Sequence, residues 1–282
     1  MKNLTNSILI LSLLLLFSMH IFAQQKESDW KLGIQSYTFH HFTLTESIVK
    51  ASSAEIKYME AFHGQDLGNG LEGKMFTADK TTQQKLLDFA KSKNVKIISA
   101  GVFTGRSREE WKQIFKTSAE MGIQIITCEP EYEDLKFIDQ LANQYKIDVA
   151  IHNHPKPSLY WSPELFLDAV EGLSTRIGGC ADVGHWKRMG IDPVRGIKQF
   201  GSRLKVVHLK DIEAKQENKD YQDDVLPGNG ICDIAAIFQE LKNQNFQGLI
   251  TIEYEGNQEK LMESVEEYVR FFNNSVSVLF KK

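Results

Sequence analysis

The chain has 282 residues, a formal net charge of −4 at pH 7 and three cysteines. A mildly acidic surface gives no electrostatic footprint for nucleic acid, so we expect no nucleic-acid partner. An odd number of cysteines leaves at least one unpaired within the chain, which excludes a scaffold built entirely on disulfides.

The N-terminus has the pattern of a secretory signal peptide. Lys2 precedes an apolar stretch over residues 8–21, and the small residue Ala23 follows it. This stretch is short for a membrane span. We therefore predict that residues 1–23 are a signal peptide cut before Gln24, which gives a periplasmic or secreted protein without a stable membrane anchor. An uncleaved signal anchor is the alternative.

The remaining residues, 24–282, alternate between short β-rich runs and segments with helical periodicity. We predict eight strands, at residues 32–37, 56–62, 95–103, 123–129, 148–154, 177–184, 204–210 and 248–255. Helices are predicted near residues 43–52, 80–93, 107–121, 133–146, 162–173, 192–201, 232–244 and 257–273. Eight βα units with buried strands predict a single α/β domain, a closed parallel (β/α)8 TIM barrel, for which about 250 residues is typical.

Two long connections follow predicted strands, at residues 63–79 and 211–231. In TIM barrels such connections lie over the active end, so we expect both to form walls or lids. The first contains a G-x-G-x-x-G match at residues 68–73, but no helix opens directly after it. We therefore interpret the match as a flexible lid and not as a dinucleotide site.

Four side chains that could bind a metal stand at or next to the C-terminal ends of separate predicted strands. They are Glu129, Asp182, His208 and Glu253. In a barrel these ends meet at one rim, where active sites lie. Three carboxylates and one imidazole suit a divalent cation such as Mn²⁺, Mg²⁺, Co²⁺ or Zn²⁺. Salt bridges at the barrel rim are the structural alternative for each residue taken singly.

Five sequence fragments, in this order, resemble the sugar phosphate isomerase/epimerase superfamily, whose members share a xylose-isomerase-like barrel. They are DVGHW at 182–186, GIDP at 190–193, VVHLKD at 206–211, PGNGICD at 227–233 and TIEYEG at 251–256. The superfamily includes ketose 3-epimerases, inosose dehydratases and, more remotely, endonuclease IV. The resemblance covers the whole mature chain and implies one metal ion, Mn²⁺ in the first place, held by Glu129, Asp182, His208 and Glu253.

The resemblance also implies residues that contact the substrate. His185 matches the family histidine that touches substrate, and Glu60 matches a glutamate that commonly faces the site. We add His63, Trp186 and Lys187 to the substrate-binding candidates because they adjoin these positions or the predicted ligand strands.

Two ligand positions have competitors nearby. Glu131 and Glu133 lie close to Glu129, and Glu255 lies two residues beyond Glu253. Residues two apart on a strand face the same way, so only the geometry of the connections separates them.

The candidate catalytic residues are His152, His154, Lys210 and Glu253. The two histidines end the fifth predicted strand two residues apart, which places them on one face. An imidazole titrates near neutral pH and is suited to remove a proton and then protonate a leaving group. Inosose dehydratases resemble this chain in that histidine cluster, whereas ketose 3-epimerases use metal-bound glutamates, here Glu253 among them. Lys210, which shares the face of His208, is placed to stabilise an enolate.

Together these features predict an exported, divalent-metal-dependent enzyme with a small carbohydrate substrate. The expected step is removal of a proton beside a keto group through a metal-bound enediolate. Sugar phosphates are not expected outside the cytoplasm, and the chain resembles a secreted member of the superfamily near the inosose dehydratase and 3-keto-glycoside lyase types. That resemblance implies the leading hypothesis, a lyase acting on 3-keto-glycosides or related oxidised sugars. A sugar isomerase or epimerase with the same site and a non-catalytic carbohydrate-binding barrel are the alternatives. A homo-oligomer is compatible with the sequence.

Overall fold

The computed structural model describes residues 30–281. The predicted signal peptide, residues 1–23, lies outside the described residues. Within residues 30–281, no helix combines the length and the apolar character that a transmembrane span requires.

Eight parallel strands close into a barrel, which confirms the predicted fold. In chain order the strands are β1 (Lys31–Gln35), β2 (Tyr58–Phe62), β3 (Asp66–Gly68), β4 (Leu71–Lys74), β5 (Lys96–Phe103), β6 (Ile125–Cys128), β7 (Asp148–Ile151), β8 (Ile177–Asp182), β9 (Leu204–Leu209), β10 (Asp211–Ile212), β11 (Asp224–Val225) and β12 (Leu249–Ile252). The barrel order is β1–β12–β9–β8–β7–β6–β5–β2, and β1 pairs with β2 to close it. The other four strands form two small antiparallel pairs.

Helices surround the barrel. They are α1 (Leu44–Ser53), α2 (Lys80–Ser92), α3 (Arg108–Met121), α4 (Leu135–Tyr145), α5 (Pro163–Ala169), α6 (Val183–Arg188), α7 (Pro193–Phe200), α8 (Ile234–Asn243) and α9 (Leu261–Phe280). Capping residues determine where several of these helices begin. Thr43 and Glu46 form a capping box at α1, and proline follows the capping residue at α5 and α7.

Two element boundaries differ from the sequence prediction in a way that affects the site. The fifth predicted strand was expected to reach residue 154, but β7 ends at Ile151, so both strand-five histidines lie in the connection that follows. The sixth predicted strand was expected to reach residue 184, but the chain turns into α6 after Asp182. The Asp182 carboxylate accepts a hydrogen bond from the backbone N–H of His185 over 2.7 Å, which caps this short helix.

Both long connections contain a small β structure. The first holds the β3–β4 hairpin, and the dinucleotide-like match lies in its turn, where Gly68 and Gly70 have φ values of +75° and +74°. In the second, β10 pairs with β11, and the buried Asp211 carboxylate accepts hydrogen bonds from the backbone N–H groups of Gly228, Gly230 and Cys232. The Asp211 carboxylate therefore holds the two ends of the second connection together.

The inside of the barrel changes from apolar to polar along the strands. Ile98, Ala150, Cys180, Val206 and Leu249 form an apolar cluster in the lower part of the barrel. Side chains two residues apart on a strand face the same way. The alternation that buries Cys180 and Val206 therefore turns the next inward residues, Asp182 and His208, towards the C-terminal rim. All three cysteines are buried and free.

Candidate active site

Four side chains converge at the C-terminal ends of the barrel strands. His152, Asp182, His208 and Glu253 each offer one donor atom, and these atoms all lie within 4.8 Å of one another. Asp182 and His208 are register partners on the adjacent strands β8 and β9. His208 Nδ1 lies 2.9 Å from Glu253 Oε2, and His152 Nε2 lies 3.8 Å from Asp182 Oδ2.

Two of these atoms are buried without a hydrogen-bond partner among the described residues. They are His152 Nε2 and Asp182 Oδ2, the same pair that lies 3.8 Å apart. Leaving such polar atoms buried and unpaired costs about 1–3 kcal/mol each, so folded proteins rarely tolerate it without a reason. A cation beside both atoms would satisfy them together.

Each imidazole of the cluster has its second nitrogen beside a carboxylate. His152 Nδ1 lies 3.3 Å from Glu129 Oε1, and His208 Nε2 lies 3.3 and 3.4 Å from the two oxygens of Glu60. This arrangement is typical of metal-binding histidines, because the carboxylate orients the ring and raises its basicity. The donor set of two nitrogens and two carboxylates therefore fits a divalent transition metal.

Glu60 is held rigidly in this arrangement. It is fully buried, and it accepts hydrogen bonds from Gln35 Nε2 over 2.8 Å, from Thr127 Oγ1 over 2.6 Å and from Ser99 Oγ over 3.2 Å. With its oxygens engaged in this way, Glu60 is placed to orient the His208 ring. Its predicted contact with substrate stays a prediction.

The structure places His152, and not Glu129, in the four-residue cluster. Both residues directly follow a strand, Glu129 after β6 and His152 after β7, and the Glu129 carboxylate turns towards the two histidines that follow β7. Glu129 Oε1 accepts a hydrogen bond from the backbone N–H of His154 over 2.9 Å and lies 2.6 Å from the Nδ1 atom of its ring.

The cluster carries an excess of negative charge. Burial alone would lower the pKa of both His152 and His208, yet neighbouring carboxylates raise the pKa of His152 to about 9 and that of His208 well above its usual range. Burial alone would raise the pKa of Asp182, but nearby positive groups hold it well below its ordinary value. The field of the pocket therefore favours a cation.

Lys210 lies inside this acidic pocket. Its side chain is fully buried, with Nζ 2.5 Å from Glu255 Oε1, 3.5 Å from Glu253 Oε2 and 3.6 Å from Asp182 Oδ2. Burial opposes the charged form, but the surrounding carboxylates raise the pKa of Lys210 well above its ordinary value. Gly184 makes room for the side chain, since a Cβ at that position would come within 2.8 Å of Lys210 Cγ. Lys210 is therefore an ammonium donor and not a base.

Two further histidines line the mouth. His154 is half-exposed, with 50% of its side chain accessible, and its ring centroid lies 4.4 Å from that of His152 and 5.2 Å from that of His185. His185 is buried, with Nε2 3.6 Å from Asp182 Oδ2 and Nδ1 2.9 Å from the Arg188 guanidinium. Burial lowers the pKa of His185 well below its ordinary value, so its ring is neutral.

Two predicted substrate contacts, Trp186 and Lys187, lie in the short helix α6. Trp186 is fully buried and packs edge-on against Phe200 of α7 at 5.0 Å. Lys187 stands two positions after His185, about 200° around the helix. The contacts of both residues with substrate stay predictions.

His63 lies at the rim but outside the cluster. Its ring stacks on Phe103 at the end of β5, with 4.6 Å between centroids. Burial lowers its pKa, which keeps the ring neutral and suited to an apolar wall. Its role towards substrate stays a prediction.

Sequence reasoning missed Arg188 and Asp224. Arg188 stands one helical turn after His185, a signal that depends on recognising the short helix α6. Asp224 reaches the site from the second long connection, and its spacing from the other site residues gives no sequence signal.

Comparisons with known proteins agree with the fold. Residues 48–274 match the family described as xylose isomerase-like TIM barrel. Inosose dehydratase from Clostridium beijerinckii is 24% identical over 245 residues, which cover 70% of this chain and 79% of that protein.

Two solved structures are similar over most of the chain. The crystal structure of an uncharacterized protein from Parabacteroides distasonis is 36% identical, with a TM-score of 0.70 over 87% of this chain and 99% of that one. The IolI protein, crystallised with a zinc atom, is 17% identical, with a TM-score of 0.70 over 89% of this chain and 100% of that one. At that identity the second likeness shows the fold alone.

Proposed function

The chain belongs to the xylose isomerase-like TIM barrel family, and on that premise we propose that it is an exported sugar enzyme that depends on one divalent metal ion. It removes the proton beside a keto group and expels the substituent from the next carbon, as a lyase on 3-keto-glycosides or related oxidised sugars. Elimination is favoured over epimerisation because the curated relatives of this chain include proteins named as dehydratases.

One observation carries the metal dependence. His152 Nε2 and Asp182 Oδ2 are buried, unpartnered among the described residues and 3.8 Å apart, inside a cluster completed by His208 and Glu253. These four side chains would hold the ion. When bound there, a divalent ion would act as a Lewis acid on an oxygen of the sugar. Glu129 becomes the outer partner of His152, which revises its expected role as a ligand.

His154 is the proposed proton acceptor. Glu129 lies 2.6 Å from His154 Nδ1 and accepts the proton on that nitrogen, so Nε2 of the half-exposed ring keeps its lone pair for substrate. The step breaks the C–H bond next to the keto carbon and the bond between the neighbouring carbon and the departing oxygen. A carbon–carbon double bond forms, and the proton carried by His154 passes to the leaving oxygen.

Lys210 and His185 stabilise the charge that develops on the keto oxygen. Both are buried beside Asp182, at 3.6 Å in each case, and both have N–H donors on the side of the cluster. Fixed donors in a pocket without bulk water stabilise a developing oxyanion more strongly than water does.

Export and substrate class rest on the sequence. The predicted signal peptide directs the protein out of the cytoplasm. Sugar phosphates are not expected in the compartment that the protein then reaches. An uncharged glycoside that has been oxidised to a ketone suits that compartment and needs no phosphate-binding cluster.

The test is turnover of 3-keto-trehalose and a 3-keto-glucoside, followed by NMR in D₂O. We expect release of the aglycone sugar or alcohol, loss of turnover after EDTA and recovery with Mn²⁺. Turnover that is indifferent to chelation would overturn the metal dependence. Deuterium incorporation into a ketose of unchanged formula, with no aglycone released, would identify an epimerase or isomerase instead.

A further inference from the structure

The guanidinium of Arg188 is buried next to the site but takes no part in the mechanism above. We propose that Arg188 is a positioning residue: it fixes His185 in the tautomer that carries its proton on Nε2, so that His185 acts as a hydrogen-bond donor to the substrate oxygen. The role towards substrate rests on the proposed function, whereas the tautomer itself does not.

The contacts of Arg188 lock its side chain in place. Only 3% of the side chain is exposed, and Nη1 lies 2.9 Å from His185 Nδ1. Nη2 donates to Asp224 Oδ1 over 2.6 Å and to the backbone carbonyl of Gln222 over 2.7 Å, and Nε donates to the same carbonyl over 3.1 Å. The Tyr221 ring covers the outer face, with its centroid 4.1 Å from Arg188 Cζ.

The chemistry of arginine decides which nitrogen of His185 carries the proton. Arginine stays protonated in proteins and has only donors, so the nitrogen facing it must be an acceptor. His185 Nδ1 is therefore unprotonated, and in a neutral imidazole the proton lies on Nε2. That nitrogen faces the cluster, 3.6 Å from Asp182 Oδ2.

This tautomer excludes two other roles for His185. A ring with the proton on Nε2 presents no lone pair to a metal ion on the cluster side. It also has no acceptor there for a substrate proton. In the pocket, His185 can therefore only donate a hydrogen bond. The Glu129–His154 pair removes the substrate proton.

Arg188 also couples His185 to the second long connection. Asp224 lies in β11, and its second oxygen accepts a hydrogen bond over 2.8 Å from the backbone N–H of Glu255, which follows β12. The connection over residues 211–231 therefore contributes to the orientation of His185 through Arg188, at a distance from the substrate. Removal of the guanidinium frees the ring to exchange its proton between the two nitrogens.

The direct test is ¹⁵N NMR of the histidine side chains in the metal-free protein and in the Arg188→Met variant. The parent protein should show an unprotonated Nδ1 and a protonated Nε2 at His185. In the variant the two ¹⁵N shifts should move towards each other. Arg195→Met, which removes an exposed arginine paired with Glu164, is the matched control and should leave the signals unchanged. A protonated Nδ1 in the parent would overturn the proposal.

A double-mutant cycle separates tautomer control from simple loop anchoring. Glutamine at position 185 places an amide N–H donor near the position of Nε2 and has no tautomer. Arg188→Met should lower kcat/KM by about 10–100-fold in the parent, the range seen when an outer partner is removed. In a His185→Gln background the same change should cost less than about 3-fold.

An equal loss in both backgrounds would mean that Arg188 only anchors the connection, and the proposal would fail. Arg188→Leu, which also removes every donor at this position, serves if the methionine variant does not fold, and should show the same change in ¹⁵N shifts. If the keto-sugars are not turned over, the NMR arm still decides the tautomer, so failure of the proposed function and failure of this inference are distinguishable.

Discussion

The two ends of the barrel hold their charged side chains in different environments. At the N-terminal end, a cavity of ≈ 480 Å³ is lined by Asp148 and Lys205 among others. Asp148 is paired there with Arg176 at 2.9 Å and with Lys205 at 3.1 Å, and all three side chains are partly exposed. At the C-terminal end, His152 Nε2 and Asp182 Oδ2 are buried and have no hydrogen-bond partner among the described residues.

On the proposed function, buried polar atoms without a hydrogen-bond partner indicate the active site of this barrel better than cavity volume does. Partly exposed ion pairs such as those of Asp148 contribute only about 0–1 kcal/mol, because solvent screens them and side-chain entropy opposes them. A buried unpaired donor or acceptor costs more than that. Such a cost persists in a fold when a ligand, here a metal ion, offsets it.

The largest expected effect is the loss of an acidic residue from the C-terminal cluster. Asp182→Ala should weaken Mn²⁺ binding by more than about 100-fold, because removal of an outer partner alone costs about 10–100-fold. Asp148→Ala is the matched change at the opposite end and should leave the affinity unchanged. Isothermal titration calorimetry measures both. Equal losses for the two variants would break the contrast between the ends.

An intermediate effect is expected at the outer carboxylate of His152. Glu129→Gln should weaken metal binding by about 10–100-fold, since the amide no longer stabilises the ligand imidazole as the carboxylate does. Glu131→Gln, an exposed neighbour, is the control and should bind as the parent does. A larger loss of metal affinity in the Glu131→Gln variant than in the Glu129→Gln variant would mean that Glu131 supplies the carboxylate at this site.

The smallest expected effect, counted per pH unit, is a dependence of metal affinity on pH. The pKa of His152 in the metal-free protein is about 9, above its unfolded value of roughly 6.5. The stability that protonated His152 contributes is therefore fully present below about pH 6.5 and is lost as pH rises towards 9. A metal ion needs the neutral ring, so the loss of the His152 proton should increase affinity about tenfold per pH unit within this window, in addition to the effect of the proton that His208 loses.

Calorimetry in two buffers with different ionisation enthalpies measures the released proton. His152→Ala should lower the release by one proton and make the pH dependence between pH 6.5 and 9 less steep, while the proton that His208 loses is still released. A parent protein that binds metal without releasing a proton would show that His152 does not act as a ligand.

Most of the barrel was predictable from the sequence because its signal is repeated eight times. Apolar runs alternate with helical periodicity, and residues at the strand ends must meet at one rim. Asp182 and His208 were placed correctly together because two-residue alternation carries them inward above Cys180 and Val206. Three of the four residues in the observed cluster were expected there as ligands.

The fourth cluster residue was not predictable from pattern alone. Glu129 and His152 follow β6 and β7 at equivalent positions, directly after the paired residues Cys128 and Ile151, so the strand pattern does not decide which of the two side chains enters the cluster. The contact between Arg188 and Asp224 depends on how the second long connection folds. The sequence of that connection has no periodic pattern that would predict its fold.

The most direct test of the central claim is an anomalous difference map from a crystal soaked in Mn²⁺. We predict one peak in contact with Asp182, His208, Glu253 and the Nε2 atom of His152, with Glu129 hydrogen-bonded to the other side of that ring. A map without a peak among these side chains, or with the ion bound elsewhere in the barrel, would contradict the account.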